Sequence, residues 1–349
     1  MTLESAPNQW ESVNSDLVYV VSSTHSSEAD HQYIADIYIN SIMVFRAKEY
    51  PNEDGLGVFN LGSVLRQYVT AAFKSEQGYG EFKIMPSVKF GEEYGGTAYT
   101  DLITETTSYG NFYLSRFVED LSVYNDVPAT TREKTVKIVK GSSTYYVPYF
   151  AVSSSPFSTT INGTTASITP SEANTMQRVN IAASAAASNY TAVINGTTFN
   201  VELVCAGYFK TYYVHFLNQY GGWESMLFNK QNKRRFNVER KSYQQQPFRV
   251  SSAGDVSIKT GNVYHQQRTT FGTLWEEKIS IATDWVSDTD YKWLRQLVCS
   301  PFIYLEDEGN LYPCQIENSN YEEKQYNADG LTQLQLDISF GVKHNTQFS

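Results

Sequence analysis

Five histidines, His25, His31, His215, His265 and His344, are the side chains of this sequence best suited to proton transfer or metal binding, and they are scattered. A metalloprotease helix needs His-Glu-x-x-His, and a hydrolase elbow needs Gly-x-Ser-x-Gly; neither pattern occurs. His215 lies between Val214 and Phe216 in an alternating run, and is expected to be a strand residue facing solvent or a polar neighbour. Carboxylates cluster at Glu92–Glu93, Glu276–Glu277, Asp288 with Asp290, and Glu306–Asp307–Glu308. A glycosidase requires two carboxylates held across a cleft on rigid elements, whereas these fall mostly at turns or strand ends, where solvated charge is the default. An enzyme acting on cell-wall polysaccharide would have to use Glu276 or Asp307. The turn Asp307–Asn310 lacks the ligand spacing of a calcium loop. The sequence therefore predicts no enzyme, no catalytic residue, no cofactor and no metal site.

Binding is the better supported class. In "VHFLNQYGGWESMLF" (214–228) an alternating run turns through Gly221 and Gly222 and re-emerges at Trp223. Trp223 and Tyr220 are suited either to stack on a host-surface glycan or to return to a core or a subunit interface, and the spacing favours a hairpin returning inward. The one basic cluster, "NKQNKRRFNVERK" (229–241), holds Lys230, Lys233, Arg234, Arg235, Arg240 and Lys241. Placed on a loop, it is expected to face acidic surface on a neighbouring subunit, where opposite charge fixes orientation. Trp223, Tyr220, Lys233, Arg234 and Arg235 are thus the candidate interface residues.

The elements that position these residues read as mainly β: a multi-domain set of antiparallel β-sandwiches or barrels with two short helices. Strands are expected at 16–23, 33–50, 81–94 and 111–117, with a helix at about 62–73 from Leu61, Val64, Leu65, Tyr68, Val69 and Phe73. Asn60 or Ser63 is its expected cap. Two "INGTT" pentapeptides, at 161–165 and 194–198, put Asn-Gly between alternating strands, the signature of two-residue type I′ hairpins. A second helix is expected at 288–299, capped by Ser287 with Asp290 at its third position and stopped by Pro301. Phe271, Leu274, Ile279 and Ile281 are expected core, and 330–342 alternates strictly through Leu334, Leu336, Ile338 and Phe340. Three domains follow: an N-terminal β domain over 1–145, an immunoglobulin- or fibronectin-like sandwich over 146–245, and a C-terminal β domain over 246–349.

Composition sets the boundaries of function. Of 349 residues, 14% are aromatic, including 26 Tyr and 19 Phe, and only 18% are charged; such a balance suits pleated, half-buried surfaces. The net charge of −10 argues against sequence-specific nucleic acid as a partner, because phosphate binding needs a basic footprint. No apolar run approaches the roughly 20 residues of a membrane span, and Met1–Trp10 does not read as a signal peptide. Cys205, Cys299 and Cys314 form no metal-binding pair and are expected as reduced, small hydrophobes, although Cys299 and Cys314 could meet across a hairpin.

"YYVHFLNQYGGWESMLFNK" (212–230) and "SPFIYLEDEGNLYPCQIENSNYEEKQYNADGLTQLQLDISFG" (300–341) resemble tail and baseplate structural proteins of long-tailed bacteriophages, particularly those infecting Bacteroidota. Among these the chain looks most like a distal-tail or tail-hub component. The resemblance implies a virion protein assembled in the host cytoplasm, forming a homo-oligomeric ring, commonly a hexamer, against tail-tube and baseplate proteins. It brings no active-site residues. The INGTT-bearing middle region departs from the pattern, as an added decoration or carbohydrate-binding module on the tail.

Overall fold

The computed structural model describes the chain apart from residues 9–10, 70–82, 97–102, 109–111, 114–126, 141–143, 174, 183–187, 206, 247, 259–267, 318–330 and 346–349. In the N-terminal module, β1 (Thr2–Ser5), β2 (Val18–Ser22) and β5 (Leu56–Asn60) form one sheet in the order β1-β2-β5. The strands β3 (Gln32–Ile39), β4 (Ile42–Glu49), β7 (Pro86–Glu93) and β8 (Ile103–Ser108) form a second, in the order β4-β3-β7-β8. A short pair, β6 (Lys83–Ile84) and β9 (Phe112–Tyr113), accompanies them. The alternation in β3 decides what is core: Tyr33, Ala35 and Ile37 meet Tyr19, Val21, Phe59, Val88 and Phe90 between the sheets. Ile34 and Asp36 lie on the other side of the strand, and Asp36 is held there by a bidentate pair with Arg46 at 2.6 and 2.7 Å. The helix α1 covers Gly62–Arg66, shorter than the expected 62–73, of which 70–73 lie outside the described residues. Its N-cap is Leu61, with no side-chain cap, while Asn60 accepts from the Gly62 N–H at 3.2 Å.

The middle module is a sandwich. The strands β10 (Thr135–Val139), β12 (Phe157–Ile161), β13 (Thr164–Ile168), β15 (Tyr190–Ile194) and β16 (Thr197–Val204) form one sheet, ordered β10-β16-β15-β12-β13, with β10 parallel to β16. Facing it is the pair β11 (Thr144–Ala151) and β14 (Thr175–Ala182). Both INGTT turns are hairpins with positive φ at Asn162, Gly163, Asn195 and Gly196, as the Asn-Gly signal requires. They are also partners in one sheet. Asn162 donates its N–H to Thr191 O and Asn195 donates to Ser158 O, both at 3.1 Å, so the two hairpins are related by a local two-fold.

In the C-terminal module, β17 (Tyr212–Leu217), β18 (Trp223–Phe228), β19 (Lys233–Gln244), β22 (Arg268–Ala282), β24 (Ile303–Asp307), β25 (Asn310–Ile316) and β27 (Gln335–Asn345) form a seven-stranded antiparallel sheet. Its order is β18-β17-β24-β25-β27-β22-β19. Smaller pairs are β20 (Phe248–Val250) with β21 (Val256–Ile258), and β23 (Val286–Ser287) with β26 (Leu331–Thr332). The helix α2 (Asp288–Val298) lies across the sheet, capped as expected: Ser287 Oγ accepts from the Asp290 N–H at 3.1 Å. It buries Tyr291, Trp293, Leu294 and Leu297.

Strand pairing shifts the expected domain boundaries. Residues 135–139 belong to the middle sheet, and residues 212–244 belong to the C-terminal sheet, because His215 pairs opposite Tyr304 and Arg234 opposite Ile279. Local hairpin signals show which strands are neighbours along the chain; they carry no information on pairings made many residues later. The fold is mainly β with several antiparallel sheets and two helices, and no sheet among the described residues closes into a barrel. No disulfide joins Cys205, Cys299 and Cys314. No described helix is long and apolar enough to cross a membrane.

Candidate functional site

All twelve residues of β17 and β18 are buried, so the hairpin that carries the most unusual sequence is covered on both faces. One face sends Tyr212, Val214, Phe216, Met226 and Phe228 under α2. The opposite face sends Leu217 and Trp223 into the N-terminal core. Tyr213 and Leu227, also on that face, reach Val139 of the middle module. The turn is built by Asn218, whose Oδ1 accepts from the N–H groups of Tyr220 (3.0 Å) and Gly222 (2.9 Å). A Cβ on Gly222 would stand 2.4 Å from Pro148 Cβ, so glycine permits the turn to press against β11. Trp223, 3% exposed, packs edge-on to Tyr304, and Tyr220 is buried with Phe150 and Met176. Neither ring is a surface platform for a sugar. Both are internal to the chain, at the junction of its three modules.

Beside this hairpin lies a polar network that local sequence spacing did not reveal. Arg132 is buried between the rings of Tyr145 and Trp293, at 5.0 and 4.7 Å from their centroids. It donates to Tyr145 Oη and, at 3.2 Å, to Ser225 O. The Glu224 carboxylate accepts from Asn218 Nδ2 at 3.1 Å and from the Trp293 indole, and Asn218 Nδ2 also donates to Ala129 O at 2.8 Å. Burial raises the Glu224 carboxyl above its ordinary value, while hydrogen bonds and the Arg132 charge work against that rise. The network joins the 129–132 segment, β11, the hairpin and α2, four pieces distant in sequence.

His215 is not solvent-facing. Its Nδ1 is 2.7 Å from Ser225 Oγ and its Nε2 is 2.9 Å from Glu306 Oε2, the connectivity of a Ser–His–acid relay. A nucleophile, however, must meet its substrate, and the side chains of Ser225 and His215 are sealed inside the sheet behind Tyr146 and Arg178. The relay ties β17, β18 and β24 together instead. Burial lowers the His215 imidazole below its ordinary value, and the Arg178 charge adds to this against the opposing Glu306. With a folded-state value below the unfolded one of about 6.5, the unfolded chain takes the proton first as pH falls. The stability held above about pH 6.5 is therefore lost on acidification. Comparing urea midpoints at about pH 7.5 and pH 5, the wild type is expected to fall further than His215→Gln, and the difference between the two proteins isolates this residue.

His25 and His31 are brought together as well: His25 Nδ1 lies 3.2 Å from Glu92 Oε1, and His31 Nε2 lies 3.0 Å from Glu92 Oε2. Burial alone would raise the Glu92 carboxyl, but hydrogen bonds from Ser23, His31 and His25 outweigh it and hold it low. No group of three or more His, Cys, Asp or Glu among the described residues is arranged to hold a metal ion. Of the carboxylates weighed for catalysis, Asp307 is engaged by Lys210 (2.6 Å) and Arg234 (2.7 Å), and Glu276 lies on β22 opposite Asn237. No protein-family model matches the chain, and no curated protein matches its sequence.

The surface that remains is an arm. Strands β19 and β22 run together from the sheet for twelve residues of β19, on the order of 40 Å. Beside them β27 reaches as far as Asn345, opposite Leu274; beyond that the arm is two-stranded and ends in the β20–β21 hairpin. Seven large apolar side chains stand exposed on it: Phe236 (58%), Val238, Tyr243, Phe248, Val250, Val256 (66%) and Phe271. Phe271, expected in the core, is exposed because β22 continues past the sheet that buries Ile279 and Ile281. The basic cluster is on strand β19, with Lys233, Arg235, Arg240 and Lys241 exposed, apart from Lys230, which lies on the connection before the strand and pairs with Asp284 at 3.2 Å. Arg234 turns back to Glu277 (3.0 Å) and Asp307 (2.7 Å) of its own chain. Residues 233–280 carry nine Lys and Arg against four Asp and Glu, a net +5 in a chain of −10, which leaves −15 on the remainder.

Proposed function

We propose that this chain is a structural subunit of a bacteriophage tail, acting at the distal tail or baseplate hub as a homo-oligomeric ring, a hexamer in the likeness noted from its sequence. The observation that carries the self-assembly is the arm. Exposed apolar side chains grouped in this way mark protein–protein contact, and the two-stranded part of the arm, Arg240–Gln244 on β19 (roughly 17 Å by strand rise), has no core of its own to hold it straight. The rest of the molecule is internally tied through the β17–β18 hairpin, as suits a rigid ring segment that must keep its shape under load. The basic arm and acidic remainder are complementary between copies, which sets orientation and suppresses wrong contacts. Tail-tube and baseplate proteins are the further partners in this reading, and the virion is its location. The glycan-binding alternative has lost Trp223 and Tyr220, the two rings on which it stood.

Light scattering across a concentration series tests the self-assembly. The wild type is expected to form a discrete multimer, and Phe236→Asp with Val238→Asp to shift it towards monomer at unchanged strand content. A wild type that stays monomeric at the highest attainable concentration, and forms no rings in electron micrographs, sinks the proposal.

A further inference from the structure

Among the sheet-edge strands of the described residues, β19 and β4 carry side chains that are complementary in sequence order. Among the described residues, β19 on the arm pairs only with β22. Likewise β4, in the N-terminal module, pairs among the described residues only with β3. Long free edges invite another strand, and proteins that must stay monomeric blunt them with charge or bulges. Here β4 begins with exposed Ile42 (68%), Met43 and Phe45. It ends at exposed Glu49, followed by exposed Glu53 and Asp54, with no Lys or Arg from 49 to 65. The two cations on β4 are already engaged: Arg46 by Asp36, and Lys48 by Glu93 at 2.6 Å. Along β19 the order is reversed, with Arg240 and Lys241 coming first, then Tyr243 and the apolar tip.

Resting on the self-assembly proposed above, we infer that the free edge of β19 pairs antiparallel with the free edge of β4 in a second copy of this chain. Antiparallel pairing sets Tyr243 beside Met43–Phe45 and brings Arg240 and Lys241 alongside Glu49. With Arg240 opposite Glu49, Tyr243 falls opposite Arg46, one residue (about 3 Å) from Phe45, and Lys241 falls opposite Lys48, which Glu93 already engages. Parallel pairing would put Tyr243 against Glu49 and the cations against Met43, so charge selects one direction. Donor and receiver are different surfaces. The contact is therefore head-to-tail, the kind that repeats around a closed ring or along an open filament.

A charge swap tests this in the full-length chain. Variant A carries Arg240→Glu with Lys241→Glu, and variant B carries Glu49→Lys with Glu53→Lys. Each alone sets like charges across the contact and is expected to weaken association about tenfold or more. Mixed in equal amounts, A and B offer each other opposite charges at every contact and are expected to recover the wild-type multimer when the ring number is even. Should Glu49→Lys disturb β4, as judged by circular dichroism, Glu53→Lys with Asp54→Lys in the turn beyond the strand replaces it. Wild-type mass in both single variants overturns the edge pairing while leaving self-assembly standing, as does a mixture that stays dissociated. A monomeric wild type overturns the self-assembly reading itself.

Discussion

Replacing Arg132 with Ala is expected to destabilise the protein by about 2–4 kcal/mol, because it removes buried hydrogen bonds to Tyr145 Oη and Ser225 O and empties the space between two rings. The Arg132 charge acts on the buried Asp290 and Glu224 carboxylates through space, and its side chain fills the space between the rings of Tyr145 and Trp293. Without it, Glu224 must either lose the favourable charge or take up a proton, and two aromatic faces border a void. The modules meet through this point, so the unfolding curve is expected to split, the middle sandwich melting apart from the other two. A urea titration followed by tryptophan fluorescence reads both effects, since Trp293 is in the network. Combining Arg132→Met with Glu224→Leu is expected to recover part of the loss, because it refills the space between the rings and removes one carboxylate that Arg132 compensates, while Asn218 and the Trp293 indole lose an acceptor. A single-variant midpoint within about 1 kcal/mol of wild type would show that the contact is not what joins the modules.

The elements of this fold were legible wherever their signal was local. The Asn-Gly turns, the Ser287 cap with Asp290, and the alternation of Leu336 and Ile338 all encode their own conformation within a few residues. What failed was ownership and environment. His215 was expected to face solvent or a polar neighbour; it meets the polar neighbours Ser225 and Glu306, and only its burial was illegible, because β24 and β11, which cover it, lie far away in sequence. Phe271 shares the parity of Ile279, and what separates exposed from buried is that β27 stops opposite Leu274 while the pairing with β19 skips Phe271 at a register shift. The Arg132–Glu224–Asn218–Trp293 network was invisible for the same reason: its members come from three segments distant in sequence, and no local spacing joins them. The basic cluster was seen, but a strand with five cations looks like a solvated loop until its partner strand is known. Local patterns specify elements; long-range pairing assigns their faces.

Trp223→Ala is expected to cost about 3–5 kcal/mol, the range for deleting a buried large aromatic side chain. The indole is enclosed by residues of two modules, Leu217 and Tyr304 from the C-terminal sheet and the Tyr33–Phe59–Phe90 core of the N-terminal sandwich. The truncation therefore opens a void at a junction rather than inside one module, where the neighbours of a single layer could collapse into it. Because these contacts lie within one chain, the loss is expected to be independent of protein concentration. A residue buried between subunits would behave differently, with a midpoint that moves with concentration by mass action. A residue that stacks on glycan would differ again, since its removal would leave the urea midpoint unchanged and abolish binding on a glycan array. Either of those two results would displace Trp223 from the core of its own chain. The conservative Trp223→Phe is expected to recover part of the loss by refilling the void, as packing predicts and ligand stacking through an exposed ring does not.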